Sequence, residues 1–565
     1  MKSAVVLDLS PTAVRAYLFD AVEGRCRFVA MGESPLLSYP SDSVAEDALA
    51  AVSELERVTG RGLVLRSMPL TPEAPDGSGV DLIAAVCSPA GGLRVAVLTG
   101  DELLSSDAAA RAVQAGGHEL AFSLCLADEA LRLPGALHEA VRQLWRRAPE
   151  VLLVAASSEA RYEKQLTRLG AALGATEVPS DQAPLVLFAG QTSTREAFDR
   201  GLKARLPVRM VAELRPEQGT ENLEPCKMAL SLLHAERWCA GLPDFNRLRS
   251  WLASNPLHRD VAVTSIVRYI AATSLAPVWV VDCDPDQPSL WVGAPGTLGS
   301  HRATGGLGDA DCRSWLPENC SSDGLTAART NRRLRPQSAP STVEELLWRG
   351  AELRFACRQV LEDPRLPLPE PAAGPAGGQA IATGWGAAWM GDEREAALLI
   401  LDALQPTGVG YLCWDQMSLL GPLGALAEVE PSMAAEALAV DALRPLGLFV
   451  APLGQIRAGA GAVTVDVTLS EKDALRMEVV SGAVEVMPVP RGGRATVRMR
   501  PVGALDVGLG RGREQSLEVE ALPLGLIVDA RGRPRPTRST NAERRQAVSL
   551  ARQQVGCPAE PEVGR

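Results

Sequence analysis

The chain has 565 residues, 46% of them hydrophobic and 22% charged, with a net charge of −11 and a pI near 5.3. That balance belongs to a globular protein with room for about two to four domains, and it excludes a disordered chain. The acid excess also argues against a nucleic-acid binder, because the basic stretch Arg531-Gly532-Arg533-Pro534-Arg535 is too short to reverse it.

Residues Ala4–Leu9, Val14–Asp20 and Arg25–Glu33 read as successive strands. A helix follows over Ser43–Thr59, where Val44, Ala48, Ala51, Val52, Leu55 and Val58 share one face. Strands are predicted at Asp81–Cys87, Gly92–Leu98, Glu150–Ala156, Pro184–Ala189 and Arg209–Leu214. Helices are predicted at Ala108–Gly116, Leu131–Trp145, Arg161–Leu173, Thr192–Leu202, Thr220–Ala240, Asp244–Asn255 and Val261–Leu275. This alternation indicates an α/β fold with mixed sheets. A buried strand ends at Val281, residues 294–338 form a long loop region with short helices, and Val343–Leu361 is a helix before a Pro/Gly-rich loop from Leu366 to Gly378. A short strand at Ala380–Thr383 and helices at Glu393–Leu404 and Pro431–Ala442 come next.

After Leu446 the pattern changes to short alternating strands at Val463–Leu469, Leu475–Val480, Ala483–Pro488, Thr496–Val502, Leu505–Leu509 and Leu517–Leu522. They imply a small β-sandwich or barrel. The expected organisation is a first lobe with an α/β insertion over 1–259, a second lobe over 260–446, a β domain over 447–530 and an extension over 531–565. Eleven cysteines stand singly with no metal-type spacing, as reduced buried thiols of a cytoplasmic protein would. The N-terminus lacks the apolar core of a signal peptide, and no apolar run reaches the about 18–20 residues of a membrane span. With five His, no His pair at helical ligand spacing and no Gly-x-Ser-x-Gly elbow, hydrolase readings of either kind lack support.

Two apolar strands end in aspartate: Val5-Val6-Leu7-Asp8 and Val278-Trp279-Val280-Val281-Asp282. Such a strand followed by a small-residue turn opens each lobe of a two-lobed nucleotide-binding fold, where the Asp holds a metal-bound water and the turn cradles phosphate. Both turns depart from that chemistry, since Pro11, Pro285 and Pro288 donate no N–H and Asp284 and Asp286 add negative charge. Asp8 and Asp282 are a metal-linked pair across a cleft or inherited residues that cap local turns. Ser10 and Thr12 offer hydroxyls to a phosphate or simply close a turn. Asp282, Asp284 and Asp286 form a cation site or a solvated acidic loop. Gly384 and Gly386 flank Trp385, which stacks on an adenine or fills the pocket with its own ring. Arg531 and Arg533 face a partner's acid or occupy a plain turn.

Taken together, Tyr17-Leu18-Phe19-Asp20, Leu55-Glu56-Arg57-Val58-Thr59-Gly60-Arg61, Ser88-Pro89-Ala90-Gly91-Gly92-Leu93-Arg94 and Glu221-Asn222-Leu223-Glu224-Pro225 resemble the glutamate mutase L-type family (MutL, also called GlmL). Trp315-Leu316-Pro317, Arg333-Leu334-Arg335-Pro336, Leu401-Asp402-Ala403-Leu404-Gln405-Pro406-Thr407-Gly408-Val409 and Leu526-Ile527-Val528-Asp529-Ala530-Arg531-Gly532-Arg533-Pro534 extend the resemblance nearly end to end. The resemblance implies an actin-like fold: two ribonuclease-H-like α/β lobes, here with the C-terminal β domain. It also implies a companion role beside an adenosylcobalamin-dependent carbon-skeleton mutase, whose corrinoid chemistry stays on the partner. The family's glycines are replaced in the turns Asp8-Leu9-Ser10-Pro11-Thr12 and Asp282-Cys283-Asp284-Pro285-Asp286 and in Ala155-Ala156-Ser157-Ser158-Glu159, and the paired glycines of its adenosine loop appear as Gly384-Trp385-Gly386 with an indole inserted between them. ATP and Mg²⁺ are therefore disfavoured ligands, and a pseudo-ATPase chaperone or scaffold is expected rather than an enzyme. A slow ATP-hydrolysing reactivase and a filament-forming homo-oligomer are the alternatives; neither nucleic acid nor membrane is an expected partner.

Overall fold

Ala4–Leu9 (β1) is buried along its whole length, as a central strand covered on both faces must be. It pairs antiparallel with Ala13–Val22 (β2), which pairs antiparallel with Arg25–Pro35 (β3), and parallel with Leu82–Cys87 (β4). The computed structural model describes residues 2–558 apart from 36–41, 101–102, 134, 157–162, 177–182, 218–219, 285–286, 304–311, 319, 321, 336–337, 363–376, 456, 471–472, 490–493 and 534–539. Between β3 and β4 lies Val44–Thr59 (α1), which starts with the Ser43 side chain accepting from the Glu46 N–H and stops at Gly60 in the left-handed region.

The chain divides into two compact units, one drawn mainly from residues 89–240 and the other from the rest. The inserted unit carries Arg94–Thr99 (β5), Leu103–Ala115 (α2), Glu119–Cys125 (β6), Ala136–Arg146 (α3), Val151–Ala155 (β7), Glu163–Gly174 (α4), Leu185–Ala189 (β8), Thr192–Leu202 (α5), Val208–Val211 (β9) and Glu224–Ala240 (α6). Its sheet runs β9-β8-β7-β5-β6 with every pairing parallel, so the insertion is purely parallel rather than mixed.

In the larger unit, Phe245–Arg249 (α7) leads to Leu257–His258 (β10), which completes the first sheet in the order β10-β4-β1-β2-β3. Arg259–Ser274 (α8) then delivers the chain to Val278–Asp282 (β11), Ser289–Ala294 (β12), Thr297–Arg302 (β13), Ser322–Leu334 (α9), Val343–Glu362 (α10), Gly378–Thr383 (β14), Trp385–Ala388 (α11), Glu393–Leu404 (α12) and Gly408–Trp414 (β15). β11 pairs antiparallel with β12 and parallel with β14; β12 pairs antiparallel with β13, and β14 parallel with β15. Both lobes therefore follow one strand order, 3-2-1-4-5, with one pattern of directions, and β1 and β11 hold equivalent central places. This duplicated plan is the actin-like fold.

Leu420–Val429 (α13) and Pro431–Ala437 (α14) precede a π-helical turn at Leu438–Ala442 and the strand Arg444–Ala451 (β16). The boundary expected at residue 447 falls inside β16, which extends the second-lobe sheet beside β15. Gly461–Ser470 (β17), Asp473–Val480 (β18), Arg494–Pro501 (β20) and Gln515–Glu520 (β21) form a separate antiparallel sheet, whereas Val484–Met487 (β19) and Leu526–Asp529 (β22) join the second lobe. The layers share one core of Val409, Val450, Val465, Val497, Met499 and Val528, so the C-terminal β region is a sandwich built onto the lobe. Leu505–Leu509 forms no strand; Asp506 makes a single bridge to Leu453. The extension beyond residue 531 holds Asn541–Val555 (α15), opened by a Thr540/Glu543 capping box.

Candidate functional site

The carboxyl ends of β1 and β11 converge. Asp8 and Asp282 are both buried, and the guanidinium of Arg259, itself buried, lies between them. Arg259 Nε donates to Asp282 Oδ2 at 2.5 Å, its Nη1 is 3.8 Å from Asp8 Oδ2, and its Nη2 donates to Ser418 Oγ at 2.8 Å. Room for the guanidinium comes from Gly421 on α13, where a Cβ would stand 2.7 Å from Arg259 Nη1. One cation thus serves two carboxylates. Burial pushes the Asp282 carboxyl up to about 6, and the opposing pull of Arg259 only partly offsets it. Asp8 Oδ1, Asp282 Oδ1 and Arg259 Nη1 are buried without a hydrogen-bond partner.

A third strand-end acid, Asp415 after β15, accepts from Thr383 Oγ1 at 2.6 Å and from the Leu419 and Leu420 N–H groups at 2.8 and 2.9 Å. It fastens the start of α13 to the second sheet, and burial raises its carboxyl above the ordinary range. Trp385 Nε1 donates to Asp8 Oδ2 at 3.3 Å, and the Arg15 guanidinium stacks 3.7 Å from the Trp385 ring centre. The indole therefore bridges the lobes between a cation and an anion.

The described polar groups of the two turns that follow these aspartates are bonded within the fold. Ser10 Oγ donates to Ala13 O at 2.9 Å, lies 3.2 Å from Thr12 Oγ1 and accepts the Ala13 N–H, while the Ser10 N–H goes to Ala13 O. At the second turn the Cys283 N–H goes to Thr383 O, and the Gln287 N–H goes to Asp284 Oδ1 at 3.3 Å. Pro285 and Asp286 lie outside the described residues, as do Ser157, Ser158 and Glu159. Among the described residues no group of three or more His, Cys, Asp or Glu is placed to hold a metal ion. Gly384 takes φ +86° and lies so near β11 that a Cβ would stand 2.1 Å from Asp282 Oδ1, while the Gly386 N–H donates to Cys283 O at 2.8 Å. These glycines serve close packing of strand on turn. Cys283 is a buried thiol pushed well above its usual range by desolvation.

Arg531 and Arg533 point inward. Arg531 pairs with Asp529 and, at 2.9 Å, with Asp402, while Arg533 donates to Asp529 at 2.6 Å and to Pro406 O at 3.1 Å. Arg354 completes the cluster at 2.7 Å from Asp402. A partner-facing role for these arginines is therefore replaced by a buried latch. A groove of about 880 Å³ lined by Tyr269, Gln379, Tyr411, Leu438 and Arg494 lies apart from the aspartate pair and includes none of its residues.

The family model described as MutL protein matches residues 4–283, a span that runs from β1 to the second aspartate turn. Residues 4–283 belong to the MutL family. The MutL segment thus ends on the Asp282-Cys283 turn, so both aspartates fall within it. No curated protein matches the chain in sequence. Among solved structures it is similar to a nucleotide-free acetone carboxylase at 10% identity, TM-score 0.35, covering 84% of this chain and 81% of that one. A xylulose kinase from Bifidobacterium adolescentis matches at 11% identity, TM-score 0.29, covering 79% and 96%. A PilM–PilN type IV pilus complex matches at 13%, TM-score 0.24, covering 77% and 98%. Overlaps this loose lend no support to any reading of activity.

Arg259, Asp415, Ser418 and Arg15 were not among the residues marked by sequence. Asp415 repeats the apolar-strand-then-Asp pattern of β1 and β11. Arg259 occupies the first position of α8, where a cation opposes the helix dipole; a nearby acid is the usual remedy.

Proposed function

We propose that the protein is a MutL-type pseudo-ATPase that works by binding, as a chaperone-like, reactivating or scaffold companion of an adenosylcobalamin-dependent carbon-skeleton mutase. The observation that carries this reading is Arg259 held between Asp8 and Asp282. A Mg²⁺–nucleotide asks these carboxylates to face a hydrated metal and asks the turns to offer converging N–H donors. Here a guanidinium bonds to one carboxylate and faces the other, Pro11 offers no donor, and the Ser10, Ala13, Cys283 and Gly386 N–H groups are engaged within the fold. The residues do not fit that ligand. Each missing charge-assisted hydrogen bond costs about 1.5–3 kcal/mol, so losing two or three moves a micromolar site towards millimolar.

Calorimetric titration with ATP, with and without Mg²⁺, tests the nucleotide half of the reading: no tight binding and no turnover are expected. Micromolar binding with turnover abolished by Asp8→Ala would establish a slow ATPase reactivase instead. The companion half is tested by adding the protein, without ATP, to an adenosylcobalamin-dependent glutamate mutase inactivated during turnover. Recovery of mutase activity is the expected result, and no recovery at stoichiometric excess would refute it.

A further inference from the structure

The C-terminal β region ends on an open strand edge. β21 is the last strand of its four-stranded sheet and pairs only with β20, in a register that runs from Arg494 opposite Glu520 to Met499 opposite Gln515. A strand bonds on two sides, so half of the β21 N–H and C=O groups point away from β20. Among the described residues those outward groups have no backbone partner. An edge in this state is a template for one more strand. The groove of about 880 Å³ runs beside it, lined on that side by Glu518, Val519 and Glu520. Successive side chains of a strand point to opposite faces, so three consecutive residues line one groove only along the strand's edge. The floor belongs to the second-lobe sheet: Gln379 on β14 stands opposite Tyr411 on β15, and Cys413 lies two residues further along the same face. Tyr411 packs against both neighbouring cores, the one that holds Val497 and Val519 and the one that holds Ile270 and Leu438. The far wall is α8 with Tyr269 and Thr273, and the π-helical turn with Leu438 and Ala439. The second layer of the sandwich thus stops short of α8 and leaves a strip of the second-lobe sheet uncovered.

Side-chain chemistry along the edge selects the guest. β20 already shows what β21 accepts. Its Arg494, Thr496 and Arg498 are exposed and alternate with buried Ala495, Val497 and Met499. Arg494 pairs with Glu520 at 3.4 Å and Arg498 with Glu514 at 2.5 Å. Glu518 stands opposite Thr496, is exposed, and has no ion pair among the described residues. A strand added on the free side meets Glu518 and Glu520 on its outer face and Leu517 and Val519 on its inner face. Basic residues alternating with apolar ones match both faces, whereas acids opposite Glu518 and Glu520 are repelled.

We propose that the free edge of β21 docks an extended segment of a partner protein in which basic and apolar residues alternate, adding a fifth strand to the C-terminal sheet over the groove. This docking does not depend on the mutase reading. The test is fluorescence anisotropy on the full-length protein with a labelled Arg-Val-Arg-Val-Arg-Val peptide as probe. Its controls are the same composition in blocks, Arg-Arg-Arg-Val-Val-Val, and the acidic Glu-Val-Glu-Val-Glu-Val. The acidic peptide guards against Arg491, which precedes β20 and lies outside the described residues. The probe should bind saturably and slow amide exchange in residues 515–520, and both controls should bind at least about tenfold more weakly. Backbone pairing uses the N–H groups of alternate peptide residues, so N-methylation at the Arg positions and at the Val positions should differ in effect at least about tenfold. Glu518→Lys should weaken the probe at least about tenfold, and Ala439→Trp, at an exposed position of the far wall, should do the same by filling the groove; the test survives if one variant fails to fold. The proposal fails if the probe does not bind, if the block or acidic peptide binds as well, if the two methylated forms bind alike, or if Glu518→Lys and Ala439→Trp leave affinity unchanged.

Discussion

At the scale of single residues, Arg259 holds the balance of the aspartate pair. Removing it by Arg259→Ala leaves two buried carboxylates facing each other, a change that costs about 3–5 kcal/mol in buried pairs. Urea denaturation should show that loss, and a variant as stable as the parent would mean that the carboxylates find other compensation. Asp282 adds a pH signature. Its carboxyl is raised from 3.8 to about 6 by burial, so between those values the folded chain binds more protons than the unfolded chain. Its contribution to stability is therefore full below about pH 4 and is lost as pH rises through about 6, by on the order of 2–3 kcal/mol. Asp282→Asn should flatten that slope in denaturation midpoints taken across this range; an unchanged slope would assign it to other groups. The two aspartates were legible because each ends an unbroken apolar strand. The arginine was not, since nothing local announces that an Arg at the head of a helix will be buried against acids from two distant strands.

At the scale of elements, the stretches around Leu401-Asp402 and Asp529-Ala530-Arg531-Gly532-Arg533 stand out separately in the sequence and meet in space. Asp402 on α12 takes Arg354 from α10 and Arg531 from the turn after β22, and Asp529 takes Arg531 and Arg533. Arg531 is the only one of these arginines bonded to both acids, so Arg531→Ala leaves each acid half-paired inside the core. A loss of about 3–5 kcal/mol is expected, with coupling above about 1 kcal/mol to Asp402→Ala in a double-mutant cycle. Additive effects would show that the two carboxylates behave independently. Sequence patterning found the long amphipathic helices and many of the buried strands but missed β6, β10, β12, β13, β15, β16 and β22, whose registers are set by neighbours. It also missed α15, although Thr540 and Glu543 spell out its capping box. That helix returns to the second lobe, where Ala551 and Val555 enter the core and Arg552 pairs with Glu395. Thr540→Ala should destabilise it by about 1 kcal/mol, readable as faster amide exchange confined to residues 541–555.

At the scale of the whole molecule, the lobe duplication was legible from two strands of the same design, but strand order was not, because pairing partners lie far apart in the chain. β10 joins the first sheet only after the entire insertion, and β22 joins the second after the C-terminal sheet has been built. The insertion itself read as more of the same α/β alternation; its independence appears only in its contacts. It is one continuous segment, its parallel sheet is covered on both faces, and its cores around Leu98, Val154 and Phe198 and around Val97, Leu153 and Leu230 are drawn from within residues 89–240. A segment of about 150 residues buries roughly 70% of its unfolded surface, enough for autonomous stability. Residues 89–240 expressed alone should therefore give a helical circular-dichroism spectrum and one cooperative urea transition. The intact chain should then unfold in more than one step, one of them matching the isolated segment in midpoint and slope. An excised segment that aggregates or melts without cooperativity would show instead that the larger unit is needed to hold this sheet together.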